Sequence, residues 1–184
     1  GVPFHPYVIG GGQERRRRGG TENVPYMVAF GRAAELAMAS IDEENTRVRA
    51  LRDRLENTLI KSIPGVHRTG QKEPRLPNTT NLAFEGVEAE AILLLLDQAG
   101  ICASSGSACT TGSLEPSHVL TAMGLSAERA RSCVRLSLSI YTTEADIDHA
   151  LEQFPQIISK LRGEGGKKKR KEPVGKAAEV YAKA

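Results

Sequence analysis

Gly100-Ile101-Cys102-Ala103-Ser104-Ser105-Gly106-Ser107-Ala108-Cys109-Thr110-Thr111-Gly112-Ser113-Leu114-Glu115-Pro116-Ser117-His118-Val119-Leu120 is the stretch around which the rest of the chain is organised. Gly100 to Ala103 has the character of a buried strand. It runs into a loop of small hydroxyl residues and glycines, with Cys109 in the middle. Glycine frees the backbone and small side chains leave the sulfur uncovered. On composition alone the segment suits either a surface loop with an incidental cysteine or a mobile thiol carrier; it stops at Glu115-Pro116, where a helix begins.

Upstream of the loop, Val87 to Ala99 reads as a helix. Its run Ile92-Leu93-Leu94-Leu95-Leu96 is apolar nearly all round, which implies burial on more than one side. Gly100 caps its end. Thr79 to Phe84 alternates as a strand, with Thr80, Leu82 and Phe84 on one face, and His67 to Pro77 reads as a polar loop. Met27 to Ile63 is helical, with Val48, Leu51, Leu55 and Leu59 forming an apolar stripe. Tyr7-Val8-Ile9 reads as a short strand ending at three glycines.

Downstream, Pro116 to Met123 is a short helix, and Ser126 is the N-cap of another over Ala127 to Ser132. Cys133 to Ile140 alternates as a half-buried strand that points Arg135 outward. Thr143 caps a last helix with Ile147, Leu151, Phe154, Ile158 and Leu161 on one face. Pro155 removes a backbone donor inside it and is expected to kink it. Helices alternating with strands define an α/β class: a small mixed sheet of about three strands with helices packed on it.

The 184 residues suffice for one domain and an attached piece, and 40% apolar content supports a core. Aromatics are only 4%, so aliphatic packing must dominate. No apolar run reaches about 18 residues, the length a spanning helix needs, and the N-terminus lacks a signal-peptide pattern. Three cysteines make no disulfide framework, which points to a reduced, cytoplasmic setting. The net charge of +3 is unevenly spread: residues 163–184 carry seven Lys/Arg against three Glu. That basic segment, beyond the Gly163-Glu164-Gly165-Gly166 linker, is expected to be a disordered tail. It contains no nucleic-acid-binding motif, so no nucleic-acid partner is expected.

The order Ser104-Ser105-Gly106-Ser107-Ala108-Cys109-Thr110, followed by Ser113-Leu114-Glu115-Pro116-Ser117-His118-Val119-Leu120, resembles the active-site loop of pyridoxal-phosphate cysteine desulfurases of the NifS/IscS-like class. Gly10-Gly11-Gly12-Gln13-Glu14-Arg15 with Arg17-Arg18-Gly19-Gly20-Thr21-Glu22-Asn23 resembles a second family signature. Val134-Arg135-Leu136-Ser137-Leu138 with Tyr141-Thr142-Thr143-Glu144 resembles a third. The three stand in family order, and the likeness covers roughly residues 1 to 162. Cys-Thr-Thr-Gly-Ser leans toward the nitrogen-fixation branch.

The resemblance implies a fold-type I pyridoxal-phosphate enzyme. Residues 1–42 would be the end of its large domain and the linking helix, and 43–162 its C-terminal small domain. The lysine that carries pyridoxal phosphate would lie in an absent first half, so the isolated chain is expected to be inactive. Cys109 would be the nucleophile. Its thiolate would take sulfur from L-cysteine, leaving L-alanine and a persulfide destined for an iron–sulfur scaffold or another acceptor, with Cys109 as a transient iron–sulfur ligand shared with that scaffold. Arg135 would bind the substrate carboxylate as a two-pronged pair. Thr21 would reach the cofactor phosphate of the neighbouring subunit in a homodimer.

Two departures stand out. Arg16 occupies a position where the family usually has glycine, so a positive φ there would strain the turn. Ser139-Ile140 replaces the usual Gly-Arg. On pattern alone, the Arg15–Arg18 run beside Gly19-Gly20 suits a phosphate or carboxylate as well as a solvated surface.

Cys102 and Cys133 sit in apolar strand patterns and are expected in the core. Cys102, Cys109, His118 and Cys133 have no zinc-ligand spacing, and nothing beyond formal possibility supports a Cys109–His118 hydrolase. The alternatives to a desulfurase are a domain that docks a sulfur-acceptor scaffold without catalysis, a truncated product without function, and an enzyme like selenocysteine lyase.

Overall fold

The computed structural model describes residues 3–70, 74–105 and 116–164. The chain divides into two compact units, Gly1–Glu43 and Glu44–Ala184.

The first unit is a glycine-rich turn followed by helix α1 (Val24–Glu43), which buries none of its side chains. Tyr26, Phe30 and Met38 are all at least 74% exposed. Tyr7-Val8-Ile9 forms no strand; it runs through a bend instead. The ordering device is a backbone closure: Gln13 N–H donates to Arg18 O at 2.8 Å, and Gly19 N–H donates to Val8 O at 2.7 Å. The intervening Glu14, Arg15 and Arg16 have φ of 49°, 57° and 66°. Arg16 is thus in the left-handed region where an L side chain is strained, at about 1–2 kcal/mol per residue.

Gly19 has the opposite need. A Cβ there would fall 2.7 Å from Gly10 N and 2.9 Å from Gly10 Cα, both backbone atoms. Gly19→Ala is therefore expected to open the turn. Hydrogen exchange should show lost protection of the amide at position 19; unchanged protection would contradict the close approach.

The second unit opens with a π-helical turn, Glu44–Val48, and helix α2 (Arg49–Ser62). Then come β1 (Val66–Arg68), β2 (Thr79–Phe84), α3 (Ala89–Gln98) and β3 (Ser104–Ser105). After residues 106–115 follow α4 (His118–Ala122), α5 (Ala127–Arg131), β4 (Cys133–Ser137) and α6 (Glu144–Leu161). The sheet order is β1-β2-β4-β3, and every neighbouring pair is antiparallel. The α/β class expected from sequence holds. The sheet has four strands and no parallel pair, because β1 forms where a polar loop was expected and β3 is only the two residues after Ala103.

One sheet face carries the core. Leu82, Phe84, Val134 and Leu136 pack with Leu51, Leu55 and Leu59 of α2, Ile92 and Leu96 of α3, and Ile147, Phe154 and Ile158 of α6. The Phe84 and Phe154 rings stack with centroids 5.7 Å apart. The α2 stripe is buried as its spacing required, whereas Leu94 of α3 is 61% exposed, so that helix buries less of its circumference than its composition implied. Helix α6 continues through Pro155 to Leu161, although the proline removes one backbone donor. Its start is a capping box: Thr143 N–H donates to Asp146 Oδ2 at 2.8 Å, and Asp146 N–H to Thr143 Oγ1 at 3.2 Å. The Thr143 backbone N–H, then its hydroxyl, hold the Asp146 carboxyl below the usual carboxylate range.

The opposite sheet face is only partly covered. Ala83 and Cys133 are sealed by Leu120 of α4 and Ala130 of α5. Ser126 Oγ accepts from Arg129 N–H, the N-cap its sequence position suggested. Beyond that small cluster, and among the described residues, Asn81 and Ser104 on this face are half-buried and Arg135 is exposed.

Candidate substrate site

The face opposite the core owes its chemistry to strand register. Arg135 of β4 is directly opposite Asn81 of β2 and Ser104 of β3. Directly opposed residues in antiparallel strands point to the same side. Thr69, just past β1, extends the row: its N–H donates to Asn81 O at 2.9 Å. Thr69, Asn81, Arg135 and Ser104 thus form one polar row across all four strands. The flanking row, Ala83 and Cys133, is buried and apolar.

Arg135 is exposed, as its place on an alternating strand required. Its guanidinium makes no hydrogen bond or ion pair with a described residue. Next to the row is a cleft of about 440 Å³, lined by Arg68, Thr69, Gly70, Leu125, Ser126 and Arg129.

Cys109 lies outside the described residues, as do its immediate neighbours. Its two attachment points are described. The segment departs from β3, where Ser104 faces Arg135, and returns at Ser117, the buried residue before α4. The first of these ends is therefore beside Arg135, and the second leads into α4, whose Leu120 covers Ala83 and Cys133.

The other two cysteines separate. Cys133 is fully buried, as expected, and burial pushes its thiol up to about 11, with the Arg129 charge opposing. A protonated, covered thiol is inert. Cys102 is exposed, which overturns its expected place in the core. Residues 101–103 form no strand, so the apolar pattern there did not imply burial.

After β4, Ser139 replaces the usual glycine without strain. Its Oγ accepts from Tyr141 N–H at 3.2 Å, and its N–H donates to Thr142 Oγ1 at 3.0 Å. Arg47 fastens this corner by donating to the Ile140 and Thr142 carbonyls at 2.5 and 2.7 Å.

In the first unit, Thr21 is exposed on the link between the turn and α1. Of the arginine run, Arg18 is committed: it donates to Gly20 O at 2.9 Å and pairs with Glu22 at 2.5 Å. The Thr21 hydroxyl has no hydrogen-bond partner among the described residues. A donor hydroxyl beside positive-φ Gly20 fits a phosphate oxygen.

Among the described residues, no group of three His, Cys, Asp or Glu could hold a metal ion, and no helix is long and apolar enough to cross a membrane.

Sequence reading missed Thr69 and Asn81 as parts of a site, and placed Ser104 only as the start of the cysteine loop. Each reads as an ordinary polar residue on or beside a strand. Only the pairing register, which no local pattern encodes, brings them to Arg135.

Residues 6–150 match the aminotransferase class-V family, and the chain belongs to that family. Its fold is of the fold-type I class of pyridoxal-phosphate enzymes. More particularly, it is 59% identical over 162 residues to a cysteine desulfurase of Gluconacetobacter diazotrophicus, covering 88% of this chain and 40% of that protein. It is 52% identical over 162 residues to the cysteine desulfurase NifS of Azotobacter vinelandii, with the same coverage. Among solved structures, a NifS-like protein from Rickettsia africae superposes with a TM-score of 0.73 at 39% identity, over 85% of this chain and 40% of that one. The chain spans about 40% of the length of these curated relatives.

Proposed function

We propose that the chain is the C-terminal part of a NifS-like cysteine desulfurase. Residues 1–42 would be the end of the large domain and the linking helix, 43–162 the small domain, and 163–184 a tail. The observation that carries the reading is the Ser104–Arg135 pairing. It roots the Cys109 segment beside an exposed arginine that has no acidic partner among the described residues. The identity to named desulfurases supports the same chemistry.

Arg135 binds and orients the carboxylate of L-cysteine, a role suited to a planar guanidinium. The Cys109 thiolate attacks the substrate sulfur. The new S–S bond forms as the substrate C–S bond breaks, so L-cysteine and the enzyme thiol become L-alanine and an enzyme persulfide. Thr21 would donate to the phosphate of pyridoxal phosphate held by the other subunit of a homodimer. When bound, that cofactor supplies the electron sink that makes the C–S bond labile. The isolated chain is inactive because the cofactor's lysine lies outside it. The enzyme works in the cytoplasm and passes sulfur to a scaffold for iron–sulfur clusters, of the nitrogen-fixation kind. Cys109 would be a transient cluster ligand shared with that scaffold.

The test is a chimaera in which this chain replaces the matching 162-residue portion of the Gluconacetobacter relative. Alanine and sulfide formed from L-cysteine should appear in equal amounts. Arg135→Ala in that chimaera is expected to raise KM about 10- to 100-fold, the worth of a charge-assisted contact. Arg135→Lys should recover part of the loss, because it restores charge without the fork. A chimaera that folds and binds cofactor but forms no alanine would sink the reading.

A further inference from the structure

We propose that Asn81 is a second donor to the substrate's carboxylate, beside Arg135, and that Thr69 is the positioning residue that aims it. The inference rests on the desulfurase reading above and adds to it a residue that no sequence motif marks.

Asn81 is the direct cross-strand partner of Arg135, so the amide and the guanidinium leave the same face of the sheet as neighbours. An outward residue on a half-exposed strand needs no fixed orientation, yet Asn81 has one. Thr69 is only 8% exposed, and its Oγ1 lies 2.5 Å from Asn81 Oδ1. The Thr69 N–H also donates to Asn81 O at 2.9 Å, which pins the two backbones together. With Oδ1 accepting from the Thr69 hydroxyl, the two N–H donors of Nδ2 are left over. They have no acceptor among the described residues.

The row therefore sets an arginine and an asparagine at directly paired positions on one face of the sheet. Thr69 and Ser104 flank them, and no acid stands in the row to compete. A carboxylate has two oxygens and about four acceptor sites, more than one arginine fork fills. A neutral amide beside the fork supplies a further donor without repelling the guanidinium. Burial of Ala83 and Cys133 under Leu120 and Ala130 closes the sheet on one side, so the donors serve the rest of that face only.

The experiment uses the chimaera described above. Asn81→Ala is expected to raise KM for L-cysteine about 10-fold with kcat changed less than about 3-fold, because a hydrogen bond to a charged group is lost. Asn81→Asp should raise KM further, since it sets a like charge against the carboxylate. Thr69→Val, similar in size without the hydroxyl, should give a smaller rise of the same kind. Should Asn81→Ala not fold, Asn81→Ser keeps a small polar residue in the strand and loses the same donor.

Competitive inhibition by cysteamine, which has the thiol and amine but no carboxylate, should be unchanged in all of them. Equal weakening of cysteamine and L-cysteine would mean a merely structural role and would overturn the inference. So would an unchanged KM in the Asn81 variants while Arg135→Ala raises it, and in that case the desulfurase reading would stand. An unchanged KM in Arg135→Ala would remove the carboxylate site itself, and this inference with it.

Discussion

Glu56→Ala is expected to destabilise the second unit by about 3–5 kcal/mol, toward the lower end of what breaking a buried ion network costs. Glu56 is fully buried on α2, where a carboxylate must be neutralised or fully bonded. It is fully bonded. Oε2 accepts from Arg75 Nη1 at 2.6 Å and from the Thr80 hydroxyl at 2.5 Å. Oε1 accepts from Arg75 Nη2 at 2.8 Å and has Arg68 Nε at 2.8 Å.

Removing the carboxylate leaves two guanidinium groups facing each other. The lower end is expected because the Arg75 and Arg68 side chains retain 16% and 30% exposure, so water relieves part of the penalty. Beside this network, Arg52, 1% exposed, donates to the Leu76 and Thr79 carbonyls and pairs with Asp53 at 2.8 Å. Together the two groups fasten β2 to α2 at Thr79–Thr80, one residue from Asn81. Urea unfolding of the chain measures the change, and a loss below about 1 kcal/mol would show that the network contributes little.

The same group sets a pH dependence. Burial alone would push the Glu56 carboxyl up. The Arg75 and Thr80 hydrogen bonds and the Arg75 and Arg68 charges more than offset it, and the net shift is downward. A carboxyl with a lowered native pKa binds fewer protons folded than unfolded. Its stabilisation is therefore complete above the ordinary carboxylate pKa and is lost as pH falls through the lower native value. Glu56→Gln should flatten that acid limb of the stability curve.

The second large effect is on turnover. In the chimaera, Cys109→Ser is expected to lower kcat by at least about 10³-fold, equivalent to roughly 4 kcal/mol of barrier. Serine has the shape but no thiolate, and the persulfide requires an S–S bond. Cys133 cannot substitute, being buried with its thiol pushed up to about 11. Cys102 is the informative control because it is exposed. Cys102→Ser should leave turnover and the persulfide unchanged, the latter read by mass as one added sulfur on the peptide containing Cys109. Turnover that survives Cys109→Ser and disappears with Cys102→Ser would move the nucleophile.

The amino-acid order by itself determined what depends on near neighbours. The Val48, Leu51, Leu55 and Leu59 stripe is buried because helical spacing puts those side chains on one side wherever the helix packs. Thr143 and Ser126 cap because their oxygens reach N–H groups three residues on. The alternation in β2 and β4 correctly set Leu82 and Val134 inward and Arg135 outward.

The tertiary structure alone decided what depends on residues far apart in the chain. It set the antiparallel pairing and made a strand of Val66–Arg68, which lies in a segment without apolar alternation and pairs with a strand that begins at Thr79. It left Cys102 exposed, since burial is conferred by what packs over a residue and not by its apolar neighbours. It assembled the Glu56 network from α2, β1, β2 and Arg75. It also aligned Thr69, Asn81, Arg135 and Ser104. A row across four strands exists only through register, and shifting the register by one residue would turn each of those side chains to the other face of the sheet.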